Sequence, residues 1–257
     1  MDPPKLGASS LSFPGEKPVA ERLALLPPLQ LTHAEVNLNA DPLPWTREAH
    51  RALREAARSA GLSLGLHAPH LHLDPGHPDE RVGEPSLSLL ETWAKAAGPL
   101  KADHLVVHPS PEGELEDSVE PLKRLSKAAG KLLLVENQDR GPGASERDLE
   151  RLLDDGGARL ALDIGHLFIA RSRGLSRATL RDLLRTFGDK VPLVHLNDNR
   201  GREDLHLVPG KGEVPWDKVL PALREAKIKL WVIESRGGLE ESVKFLREAL
   251  KREGEPK

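Results

Sequence analysis

The chain has 257 residues, 38% of them hydrophobic and 30% charged, with a formal net charge of -3 and no cysteine. This balance suits a globular protein with a large core and is too polar for a membrane protein, because no apolar run nears the roughly 18 residues a spanning helix needs. Disulfides and thiolate metal sites are excluded, and the charge supplies no overall basic field for capturing nucleic acid.

Along the chain, short apolar runs alternate with amphipathic stretches rich in Ala, Leu, Arg and Glu, the pattern of βα units around a parallel sheet. Strands are predicted at 6–9, 34–38, 64–67, 105–108, 132–136, 160–163, 193–196 and 230–234. Thr46 caps a helix whose face carries Ala49, Leu53, Ala56, Ala57 and Ala60, with Gly61 at its C-terminal end. Leu87, Leu90, Ala94 and Ala97 form another stripe, closed by Gly98-Pro99, and Ser145 with Asp148 makes a capping box before Leu149, Leu152 and Leu153. Residues 197–215 form a long Gly-, Asp-, Asn- and Arg-rich stretch, and a loop of that length inside a compact domain is usually functional. Trp216 after Pro215 reads as a helix start, 239–250 as the last helix, and 252–257 as a frayed polar tail.

Eight strands separated by roughly 26 to 41 residues fit one (β/α)8 TIM barrel over 1–257, an architecture of ~250 residues. The opening MDPPKLGASS lacks the basic-then-apolar order of a secretory signal, so the expected location is the cytoplasm.

In such a barrel the active site lies at the C-terminal strand ends. Those positions carry His67, His108, Glu136, Asp163, His195 and Glu234 on successive strands, and ionisable groups ending apolar strands are costly unless paired or bound to a metal. Asp163 and His166 in LDIGH are expected to turn toward the mouth, the first ending its strand and the second in the loop. Asp204 and His206 in EDLHL point the same way if that segment is extended. Gly141-Pro142-Gly143 and Gly210-Lys211-Gly212 lack nucleotide-loop spacing and read as turns. Arg200, Arg202 and Lys211 are candidate partners of an anionic substrate, and Trp45, Trp93, Trp216 and Trp231 read as core or rim.

The segments HAPHLHLD, VVHPS, LVENQ, LDIGH, VHLNDN, DLHLVPGKGE and VIES together resemble the xylose isomerase-like barrel superfamily, and within it the endonuclease IV family. The resemblance implies three metal sites. His67 and His108 would hold the first ion, with Glu136 bridging to a second that also binds Asp163, His195 and Glu234. His166, Asp204 and His206 would hold the third. Zinc is the expected ion and manganese the alternative, because the set is His and carboxylate without sulfur.

The chain departs from that family where Tyr usually follows HAP and His70 stands here, where LGASSLSF lacks a His in the opening strand, and where QDRGPGASE replaces a Thr-rich loop. The implied activity is metal-dependent phosphoester hydrolysis, with Glu136 holding the attacking hydroxide. The alternative is a one-metal sugar or sugar-phosphate isomerase or epimerase, in which Glu136, Asp163, His195 and Glu234 hold the ion and Glu136 and Glu234 act as acid and base. A non-catalytic metal carrier is the third reading. The substrate is expected to be a small phosphoester or a sugar, with nucleic acid left open as a partner and no oligomeric state assigned.

Overall fold

The computed structural model describes residues 4–254. Strands β1 (Lys5–Ser9), β2 (His33–Asn37), β3 (Ser63–His67), β4 (Ala102–Val107), β5 (Leu133–Glu136), β6 (Arg159–Asp163), β7 (Leu193–Leu196) and β8 (Leu230–Ile233) pair in parallel, each with the next. Strand β1 also pairs with β8, closing the (β/α)8 barrel. Short turns that include α1 (Val19–Arg22) connect β1 to β2. The other connections carry α2 (Arg47–Ser59), α3 (Glu80–Leu100), α4 (Leu115–Ala129), α5 (Glu146–Asp154), α6 (Ile164–Ser172), α7 (Leu180–Phe187) and α8 (Trp216–Glu225), and α9 (Leu239–Gly254) follows β8.

Period-two alternation along each strand splits the apolar residues into two cores. Leu105, Leu133, Val135, Leu160, Leu162 and Val194 face the helices in the large outer core, whereas Val106, Leu134, Ala161 and Leu193 form a separate inner cluster with Leu230 packed against it. Two residues beyond Leu134, Ala161 and Leu193, on the same interior face, stand Glu136, Asp163 and His195.

Helix ends follow the local chemistry. Thr46 Oγ1 accepts from Ala49 N, Gly61 adopts φ +67° just after α2, and Ser145 with Asp148 forms the reciprocal box at α5. The stripe on α3 extends further than Gly98-Pro99: the helix runs to Leu100 and stops where Lys101 turns left-handed, its N–H bonded to the Ala97 and Gly98 carbonyls. Pro99 lacks the N–H that would bond back to the preceding turn, and the helix ends one residue later.

Strand β4 begins earlier than the apolar run suggests and ends at Val107, leaving His108 just beyond the sheet. Helix α9 extends to Gly254, past the predicted end at 250, and 255–257 of the polar tail lie outside the described residues. Among the described residues no helix is long and apolar enough to cross a membrane. Trp93, Trp216 and Trp231 are buried, whereas Trp45 is about half exposed and packs at a tilt against Trp93 with ring centroids 4.0 Å apart.

Candidate metal centre

All nine sequence-predicted residues meet at the C-terminal mouth, around a cleft of about 780 Å³. His67, His108, Glu136, His166, Asp204, His206 and Glu234 line the cleft, and Asp163 and His195 lie fully buried beneath it. Three groups have ligand atoms within 4.8 Å of one another: His67, His70 and His108; Glu136, Asp163, His195 and Glu234; and His166, Asp204 and His206. Glu136 joins the first two, since its Oε2 is 2.6 Å from His108 Nε2 and 3.3 Å from His67 Nε2, while its Oε1 is 2.5 Å from His195 Nδ1.

The local backbone explains this convergence. Asp163 ends β6 and caps α6, accepting from His166 N at 2.6 Å, so His166 lies in the first helical turn and not in a loop as expected. Asn137, one residue beyond β5, accepts from Asp163 N (2.7 Å) and donates to the Asp163 carbonyl (3.0 Å), fastening two strand ends.

In the long seventh loop, buried Asp198 accepts from Gly210 N, Val214 N and Trp216 Nε1 at 2.8 to 3.0 Å. An antiparallel bridge between Asp198 and Leu207 completes the frame that carries Asp204 and His206 inward. This pair is not extended: His206 has φ +46°, and the bend brings its Nε2 to 2.8 Å from Asp204 Oδ2. A short loop side chain that tolerates left-handed backbone thus achieves what simple alternation was expected to do.

The donor chemistry fits divalent cations. The Nδ1–H groups of His67, His166 and His206 donate to the carbonyls of Ala68 (3.1 Å), Asn137 (2.9 Å) and Glu234 (2.6 Å). A carbonyl only accepts, so each neutral ring presents its Nε2 lone pair to the cleft, the arrangement that orients metal-binding histidines. His108 Nε2 lies 2.6 Å from a Glu136 oxygen without an aligned hydrogen bond, and Asp204 Oδ1 is buried with no partner. Such atoms suit ligands of a shared cation better than they suit one another.

Electrostatics express the same crowding. Burial would lower His67 and His206, but Glu136 and Asp204 beside them push each up to about 9. Burial would likewise lower His166 and His195, yet neighbouring carboxylates raise both. Burial lifts Glu234 to about 7 and also raises Asp163, whereas His195, His108 and His67 overcome burial to hold Glu136 well below the usual carboxylate range. Divalent ligation needs these imidazoles neutral, so metal uptake would release protons.

Three residues of the site were not assigned from the sequence. His70, noted only as a departure, stacks on His108 with ring centroids 4.0 Å apart and belongs to the first ligand group. Glu35 and His104 lie deeper, bonded to each other and, through Glu35, to His195. Their signal was an ionisable residue inside an apolar strand, HAEVN and ADHLVV. Arg200, Arg202 and Lys211 do not line the cleft, and Lys211 pairs with Glu241 at 2.7 Å. Arg140 and Arg236 line it instead.

The model of the family described as xylose isomerase-like TIM barrel matches residues 29–249. Among solved structures, endonuclease IV from Thermus thermophilus is 29% identical, with 97% of this chain and 100% of that one covered and a TM-score of 0.75. A D-tagatose 3-epimerase-like protein shares the fold with a TM-score of 0.81 at 21% identity, over 96% of this chain and 97% of that one. An uncharacterized protein of Methanocaldococcus jannaschii is 26% identical over 188 residues, 66% of this chain and 70% of its own length.

Proposed function

The chain belongs to the xylose isomerase-like TIM barrel family, and from that premise we propose that it is a divalent-metal-dependent phosphoester hydrolase resembling endonuclease IV. The observation that carries this reading is the third ligand group, His166, Asp204 and His206, built by a separately framed loop beside the Glu136 group. A one-metal isomerase needs only Glu136, Asp163, His195 and Glu234. The 29% identity to endonuclease IV over the whole chain supports the same choice.

When bound, divalent cations, zinc or alternatively manganese and up to three in number, supply Lewis acidity and charge neutralisation at a phosphoryl centre. His67 and His108 would hold one, Glu136 would span to a second held with Asp163, His195 and Glu234, and His166, Asp204 and His206 would hold the third. Glu136 would also help to hold the attacking water, and Arg140 and Arg236 on the cleft wall would attract the anionic ester. Burial of Glu136, Asp163, His195 and Glu234 in the floor of the cleft keeps bulk water from that group, which strengthens its interactions.

A second reading, sugar or sugar-phosphate epimerisation, is favoured by His70, which stands where endonuclease IV relatives carry an aromatic grip on DNA. In that reading Glu136 and Glu234 would face each other as acid and base across the sugar. Two measurements separate the readings. Zinc counted per chain should exceed one ion, and Asp204→Ala should cut turnover of a chromogenic phosphodiester by at least about 100-fold. A single tightly held ion with harmless Asp204→Ala, together with ketohexose interconversion abolished by Glu234→Gln, would replace hydrolysis with epimerisation.

A further inference from the structure

Beneath the three ligand groups the barrel interior holds a second set of polar side chains. Glu35 on β2 is fully buried, and its Oε2 accepts from His104 Nε2 at 2.8 Å and His195 Nε2 at 3.1 Å. The opposite edge of the His195 ring turns Nδ1 toward Glu136 Oε1 and Glu234 Oε2, at 2.5 and 3.1 Å. A neutral imidazole that donates Nε2–H to one carboxylate presents Nδ1 as a lone pair on its other side.

Two strand glycines make room for this set. A Cβ at Gly65 would overlap the His104 ring at Nε2, and one at Gly7 would stand 2.8 Å from His33 Cβ. His33 packs against His104 with ring centroids 5.2 Å apart and is bonded to Ser63 Oγ at 2.8 Å. Glycine weakens a strand, and a buried carboxylate is costly when incompletely partnered, as Glu35 is: its Oε1 has no hydrogen bond. Apolar side chains at this depth would avoid both costs, as they do on β5, β6 and β7. Stability alone therefore gives no account of the network, whereas its contact with His195 does.

We propose that Glu35, clamped by His104, is a positioning residue that fixes His195 with Nδ1 turned into the Glu136, Asp163 and Glu234 group to receive a divalent cation. The inference rests on the reading of that group as a metal site. A carboxylate behind a metal-binding imidazole orients the ring and raises its basicity, and losing one typically costs ~10 to 100-fold in metal affinity.

Zinc titration of the full chain against a chromogenic chelator tests the assignment. Glu35→Gln should weaken one ion by about 10 to 100-fold, leave the ion at His166, Asp204 and His206 untouched, and alter the visible spectrum of the cobalt-substituted protein. His104→Gln keeps an N–H donor for Glu35 and should retain more affinity than His104→Leu. Wild-type protein that binds no zinc would overturn the metal reading and this inference with it. Normal zinc binding in both wild type and Glu35→Gln would overturn the positioning role alone, as would an equal weakening of every ion alongside a lower Tm, the mark of a merely structural part. Should Glu35→Gln fail to fold, the His104 pair decides, and equal affinities there would refute the proposal.

Discussion

On β5, β6 and β7 the barrel interior is filled by Leu134, Ala161 and Leu193, whereas on β2 and β4 similar interior positions hold His33, Glu35 and His104. Both halves are sealed from solvent, so the difference does not come from exposure. The apolar half obtains its stability from dehydration and close packing. The polar half accepts two glycines and an orphaned carboxylate oxygen, and it delivers a hydrogen bond to the back of His195. One half holds the barrel closed, and the other serves the mouth above it.

The division is open to experiment. Leu134 is fully buried among apolar neighbours, so Leu134→Ala should cost about 2 to 5 kcal/mol in urea unfolding while zinc stoichiometry stays at the wild-type value. Loss of zinc in that variant would show that the halves are not separable. Gly65→Ala forces a methyl against His104 and should cost about 1 to 3 kcal/mol, but here zinc affinity should fall along with stability. Unaltered affinity would detach the polar half from the mouth.

The smallest effect concerns protons. Burial and the nearby His104 lower His33 from 6.5 to about 3, so between those values the unfolded chain binds a proton that the folded chain refuses. Stability from this residue is therefore present above pH 6.5 and declines as pH falls through that window, by about 1 kcal/mol between pH 7 and pH 5.5. His33→Asn should flatten that part of the pH-stability profile, and an unchanged slope would assign the acid sensitivity elsewhere.

Several parts of this arrangement are legible in the linear chain. Each strand ending in His, Asp or Glu announced itself because an apolar run closing on an ionisable group has few explanations in a βα pattern. Thr46, Gly61 and the Ser145 box were readable because capping depends on a handful of adjacent residues. His166 was found for the right neighbourhood but the wrong element, since nothing in LDIGH distinguishes a loop from a helix that starts directly on the strand end. Glu35 and His104 escaped because their partners lie 69 and 160 residues away, a pairing that only barrel closure creates.

The alternation of strand and helix, the stripes that face the core and the residue types at the mouth can all be read along the linear chain, because these are written in spacings of a few residues. Folding in three dimensions set which imidazole nitrogen faces inward and that glycines on β1 and β3 shelter histidines on β2 and β4. Those outcomes depend on distances between segments far apart in the chain, and only closing the sheet on itself sets such distances.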